Sequence, residues 1–240
     1  MSKNGFNGVK MKAVRFIAEG LINSFRMPQT SVFQLTYLAP TKTQVAGFLA
    51  NIMGKTEEEY YQLLDDIKVG IVPLYIESIF NDAWTFKKWK ASGAGRDILQ
   101  REKIYRGKFL IYTSAEEPLL GDIMKFLRYP SRIPSLGMDD ELVLIRDIKK
   151  IEMEPKDDSV VHSVFTYNEG MKYEYCPKGD NVPLFPPRII TVNLNFDRKV
   201  TPRKPTDFVQ VVESLGFEFD VRENKRVHLD REYAYNVEMI

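Results

Sequence analysis

Apolar and polar residues alternate through residues 10–19 (KMKAVRFIAE), which predicts a strand with Val14, Phe16 and Ala18 on one side. Residues 30–37 alternate as well, with Phe33, Leu35 and Tyr37 on one face and Gln34 and Thr36 on the other. The period then changes. Thr41 with Gln44 makes a capping box, and Val45, Phe48, Leu49 and Ile52 follow at helical spacing as far as Gly54, a C′ residue. A second box, Thr56 with Glu59, opens another helix with Leu63, Leu64 and Ile67 facing inward. Residues 69–80 read as a strand that Pro73 confines to an edge or a bulge. Residues 103–113 are the next strand. Residues 117–127 are helical, with Pro118 in the first turn and Leu120, Ile123, Met124 and Leu127 on the apolar face. After a loop punctuated by Pro130, Pro134 and Gly137, residues 141–153 form a strand.

This order, βαββαβ, predicts an α+β, ferredoxin-like (RRM-like) domain over residues 1–153, two helices packed on one face of a four-stranded antiparallel sheet. A polar, basic, glycine-containing excursion at residues 81–103 protrudes from it as a hairpin. Residues 154–240 read as a smaller, mainly-β C-terminal region, with strands at 160–167, 188–196, 217–221 and 226–237. One short helix is expected at 206–215, ending at Gly216.

Composition narrows the chemistry. The 240 residues suffice for one large domain or two small ones, and 44% apolar with 28% charged residues is ordinary for a soluble globular chain. No run of 18 apolar residues suggests a spanning helix, and the start (MSKNGFNGVK) lacks a signal-peptide core, so the expected location is cytoplasmic, with no membrane. A single cysteine, Cys176, excludes an intramolecular disulfide and a cysteine-cluster metal site, and is expected to be partly buried. His162 and His228 sit in alternating segments without metal-ligand spacing, so they read as strand residues, and neither a metal nor a cofactor is expected. Asp139-Asp140-Glu141 reads as a solvated acidic turn. No phosphate loop, nucleophile elbow or HExxH motif occurs. Arg106-Gly107-Lys108-Phe109-Leu110-Ile111-Tyr112 looks like an RNA-recognition strand, but its aromatic spacing is wrong, and Phe109 and Tyr112 read as core and edge.

The net charge is only +1, yet residues 84–108 hold eight basic side chains against two acidic ones. Trp84, Phe86 and Trp89 alternate there with Lys87, Lys88 and Lys90, with Arg96 nearby. Such a segment either neutralises and stacks a nucleic-acid strand or packs its rings on itself or a partner protein. A second cluster joins Arg26, Tyr37, Thr41, Lys42 and Gln44. It either binds a phosphate at the open helix N-terminus, with Arg26 bidentate and Tyr37 against a base, or only caps and packs.

At these residues the sequence resembles the Cas-five family, CRISPR-associated subunits that cap the 5′ end of guide RNA in Cascade-type complexes. The likeness lies in Phe25-Arg26 before a proline, in Thr36-Tyr37-x-x-Pro40-Thr41 leading to Gly47-Phe48-Leu49 and Ile52-Met53-Gly54, and in Pro134-Ser135-Leu136-Gly137 followed by Asp139-Asp140-Glu141-Leu142. It implies an RNA-binding fold with a thumb-like hairpin (residues 81–103) that wedges against a neighbouring subunit. It also implies that residues 132–137 lie near RNA, which adds Arg132 and Ser135 to the candidates. The implied function is a non-catalytic subunit that binds the repeat-derived 5′ handle of crRNA and caps the backbone filament in antiviral defence. Its partners would be the crRNA, the Cascade backbone subunit and the large subunit. The alternative is a metal-independent endoribonuclease processing pre-crRNA, since some members cut with a tyrosine, a lysine and a histidine. Tyr37 matches that tyrosine, whereas both histidines fall in the C-terminal half.

Overall fold

Val14, Phe16 and Ala18 form the buried row of a long first strand, β1 (Met11–Asn23). The computed structural model describes residues 9–30, 33–90, 93–178 and 183–240, except the side chains of Lys90 and Ala94. Residues 31–32, near the start of the strand expected at 30–37, lie outside these residues. Within them follow β2 (Phe33–Gln34), α1 (Lys42–Ile52), α2 (Glu57–Asp66), β3 (Lys68–Lys90), β4 (Gly93–Ser114) and α3 (Leu119–Arg128). Then come β5 (Val143–Val161), β6 (Phe165–Thr166), β7 (Tyr173–Pro177), β8 (Phe185–Asp197), β9 (Lys204–Leu215), β10 (Phe217–Asp230) and β11 (Tyr235–Val237). The fold is mixed α/β: three helices among the described residues, and mostly strands.

β5, β1, β4 and β3 lie side by side in that order, every pair antiparallel. The helices form where the pattern predicts. In α1, Val45, Phe48, Leu49 and Ile52 are all buried, and Phe48 stacks on Phe16 of β1 at 5.8 Å. Each such side chain contributes about 1.5–3 kcal/mol of burial. Gly54 ends the helix at φ +71°, and the Thr56–Glu59 capping box starts α2. Pro73 sits beside a register shift between Pro73 and Tyr75 on β3. Phe109 and Tyr112 are both fully buried, on opposite faces of the sheet. That second face is covered by the C-terminal tail, where Tyr235 and Met239 pack and Ile240 exchanges two backbone hydrogen bonds with Val69.

Two differences from the sequence reading matter. Residues 204–215 are a strand and not a helix: Val209, Val211 and Val212 pair with β8 across the full hairpin. Pairing and two-sided burial of Val211–Leu215 override an apolar spacing that suits either structure. Secondly, the joint expected at 153/154 falls inside β5, which runs unbroken from β1's partner (Val143–Met153) to β10's partner (Glu154–Val161).

Candidate nucleic-acid interface

The loop after α3 is held by one buried carboxylate. Glu141 is 2% exposed. Its Oε2 accepts from the backbone N–H groups of Ser24 (2.7 Å) and Met138 (2.8 Å), and its Oε1 accepts from Ser24 Oγ (2.6 Å). Lys103 Nζ lies 3.5 Å away and balances the charge. Asn23 Nδ2 donates to Leu136 O at 2.7 Å. Gly137 makes this possible: its φ is +117°, and a Cβ there would overlap Glu141 Oε2 and stand 2.7 Å from Ser24 O. The acidic run at 139–141 is therefore not one solvated turn. Asp139 and Asp140 are exposed, while Glu141 turns inward as a latch.

The latched loop faces α1 across an open groove of about 840 Å³, lined by Gln44, Gly47 and Asn51 of α1 and by Arg132, Ser135 and Gly137. Its far wall is Lys55, Tyr60 and the β8–β9 turn, where Arg203 packs on Phe196 (4.6 Å) and Tyr60 (5.3 Å). Gln44 and Gly137 also border a smaller cavity of about 160 Å³ that contains Arg26, Gln34, Arg101 and Glu102. Arg26 and Arg132 are exposed, and neither guanidinium has an ion-pair or hydrogen-bond partner among the described residues. Unpaired guanidinium groups beside a polar groove suit phosphate oxygens.

Arg101 extends this surface, and sequence reasoning did not single it out. It is 8% exposed, donates from Nε to Gln34 Oε1 at 2.9 Å, and lies over the Trp84 ring at 4.0 Å. Its Nη1 is buried and has no acceptor among the described residues. Only the parallel pairing of Gln34 with Arg101, across 67 residues of sequence, creates this arrangement.

Past the end of β1, β3 and β4 continue as a two-stranded ribbon as far as Lys90↔Gly93. Directly opposed residues share a face, so the expected cluster divides. Trp84, Phe86 and Lys88 stand on one face with Arg101. Lys87 and Trp89 stand on the other with Arg96. Trp89 is 80% exposed. Lys88 is paired with Asp97 at 3.1 Å. The side chain of Lys90 is outside the described residues.

The Tyr37 corner differs from expectation. Tyr37 is 2% exposed, and its hydroxyl donates to Thr191 O at 2.7 Å, so no base stacks on it as it stands. Burial pushes its pKa up to about 12. Half-buried Lys42 lies with it along a small cavity lined by β8 and β9, its pKa lowered by burial. Thr41 is buried, and Gln44 Oε1 accepts its backbone N–H at 2.8 Å. Gln44 thus lines the groove and Arg26 the smaller cavity beside it, whereas Tyr37, Thr41 and Lys42 line a separate cavity. A buried and a stacking tyrosine at a strand end look alike in sequence, and here the packing of β8 buries Tyr37.

The remaining candidates resolve simply. His162 accepts from Asn236 N at its Nδ1 (3.0 Å) and faces Glu218 with Nε2 (3.3 Å), while burial lowers its pKa. His228 is buried on β10, its Nδ1 without a partner among the described residues. Cys176 is exposed, not partly buried. No helix among the described residues is long and apolar enough to cross a membrane.

A helix-backed sheet with a polar groove and a basic ribbon is the kind of surface that suits nucleic acid. The family model described as CRISPR-associated protein (Cas_Cas5) matches residues 14–190, and the chain belongs to this Cas-five family. No curated protein sequence matches it significantly. Among solved structures, a chain of a "CRISPR RNA-guided surveillance complex" is 16% identical, with TM-score 0.48, covering 92% of this chain and 95% of that one. A chain of the "Type III-B Cmr-beta bound to cognate target RNA and AMPPnP" is 12% identical, with TM-score 0.46 and 86% coverage of each. A "Cas protein" crystal structure is 19% identical at TM-score 0.40, and the match spans 58% of its length and 54% of this chain.

Proposed function

We propose that this protein is a non-catalytic subunit of a CRISPR effector complex, which holds the repeat-derived 5′ handle of the guide RNA in the groove between α1 and the latched loop. The β5-β1-β4-β3 order supports a ferredoxin-like domain, and the ribbon is its thumb, set against a neighbouring backbone subunit, with the large subunit as a further partner. Arg26 and Arg132 take phosphates, Gln44 and Ser135 line the path, and Trp89 with Lys87 and Arg96 meets the strand or the neighbour further out. One observation carries the reading: two exposed guanidinium groups, without partners among the described residues, border two adjoining polar cavities that share Gln44 and Gly137.

The endoribonuclease alternative gains nothing from these residues. Tyr37 is buried with its proton on a carbonyl, and His162 has both ring nitrogens engaged.

The test is the salt dependence of affinity for single-stranded repeat RNA. An Arg26→Ala/Arg132→Ala variant that loses two phosphate contacts is expected to bind at least tenfold more weakly. Its log–log salt slope should flatten by about 1.4. Unchanged affinity and slope would sink the assignment.

A further inference from the structure

Of the two cavities, the smaller one holds a feature that phosphate binding does not explain. Arg101 is buried, its guanidinium is stacked on Trp84 at 4.0 Å, and Gln34 Oε1 takes its Nε proton at 2.9 Å. Its Nη1 has no acceptor among the described residues. A buried charged donor left without a partner is unfavourable, and no described residue supplies an acceptor there. Glu102 lines the same cavity. Its Oε2 accepts from Thr36 N at 3.0 Å, and its Oε1 has no partner among the described residues.

A phosphate meets only half of this pair, because a carboxylate repels it. A nucleobase that presents acceptors and donors together meets both. Guanine does so: O6 and N7 accept from a guanidinium, and N1–H and N2–H₂ donate to a carboxylate. About 160 Å³ has room for one base, and a ring coplanar with the Arg101 guanidinium would extend the stack begun by Trp84.

We infer that the cavity of Arg101, Glu102 and Gln34 is a guanine-reading subsite beside the RNA groove. The inference rests on the RNA-binding reading above and adds base specificity to it. Arg26, at the same cavity, holds the phosphate of the nucleotide that is read.

The test uses the full chain with two short RNAs, an all-uridine octamer and the same octamer with one central guanosine, and with inosine or adenosine in its place. The expected result is tenfold or more tighter binding of the guanosine octamer than of the uridine or adenosine ones. Inosine, which lacks N2–H₂, should fall between. Glu102→Gln keeps an acceptor for Thr36 N but turns an amide donor toward the guanine donors. It should cut the guanosine-over-uridine preference, measured on the same variant, below threefold. Equal affinity for all octamers, or a preference that survives Glu102→Gln, overturns the subsite and leaves the groove standing. No salt-dependent binding of any octamer overturns the groove and the subsite together.

Discussion

Gly137 and Glu141 fix the groove wall between them, because a buried carboxylate collects three hydrogen bonds where only a residue without a side chain fits. Gly137→Ala combines a left-handed φ with steric overlap at Glu141. It should destabilise the protein by about 2 kcal/mol or more and weaken RNA binding, measured by denaturant unfolding and by titration. A variant with wild-type midpoint and affinity would show that the latch does not shape the site. Half of this was legible: the turn at Pro134–Gly137 and the acidic run were visible, but the inward rotation of Glu141 depends on Ser24, 117 residues away. Arg26, Gln44, Arg132 and Ser135 were likewise read from local signals. Arg101 was not, since its meaning comes from Gln34 and Trp84 on other strands.

At the scale of elements, strand alternation divides what composition lumps together. The run of lysines and rings at 84–96 reads as one basic patch, yet the register puts Lys87, Trp89 and Arg96 opposite Trp84, Phe86 and Lys88. Lys88 is already neutralised by Asp97. Lys87→Ala/Arg96→Ala should therefore weaken RNA affinity three- to tenfold at low salt, and Lys88→Ala less than twofold. Equal effects from both variants would mean that the two faces of the ribbon do not differ in use. The helices were readable because α1 and α2 carry capping boxes and clean apolar stripes. β9 was not: Val211 to Leu215 are buried on both sides, which erases the alternation that marks a strand.

Across the whole molecule, the later strands grip the segment that leads into α1. Glu213 accepts from Leu38 N at 2.9 Å and from Arg188 Nε at 2.6 Å, Arg188 Nη2 donates to Thr36 O at 2.7 Å, and Tyr37 bonds Thr191. Burial pushes the Glu213 carboxyl up to about 7 from the ordinary 4.5, with Arg188 opposing. The folded chain thus holds this proton more tightly than the unfolded chain. The stabilisation is complete below pH 4.5 and is lost as pH rises through 7. Relative to Glu213→Gln, the wild-type Tm should fall between pH 5 and 7, and a constant difference across that range would refute the assignment. On the second sheet face, Arg15 is fully buried and bonded to Asp230 at 2.9 Å, to Asp147 at 3.0 Å and to Glu232 at 3.1 Å, tying β1 to β5 and β10. No local pattern announces such long-range ties, which is why the sequence suggested a boundary at 153/154 where β5 runs straight through.

The central claim is that RNA lies between α1 and the loop at 132–141. Amide hydrogen exchange of the full chain, with and without a short repeat-derived RNA, tests it most directly. Protection is expected in the first turns of α1, in residues 132–141 and at the base of the β3–β4 ribbon, with the tail-covered sheet face around Arg15 unchanged. Protection confined to that tail-covered face, with the loop exchanging as before, would contradict it.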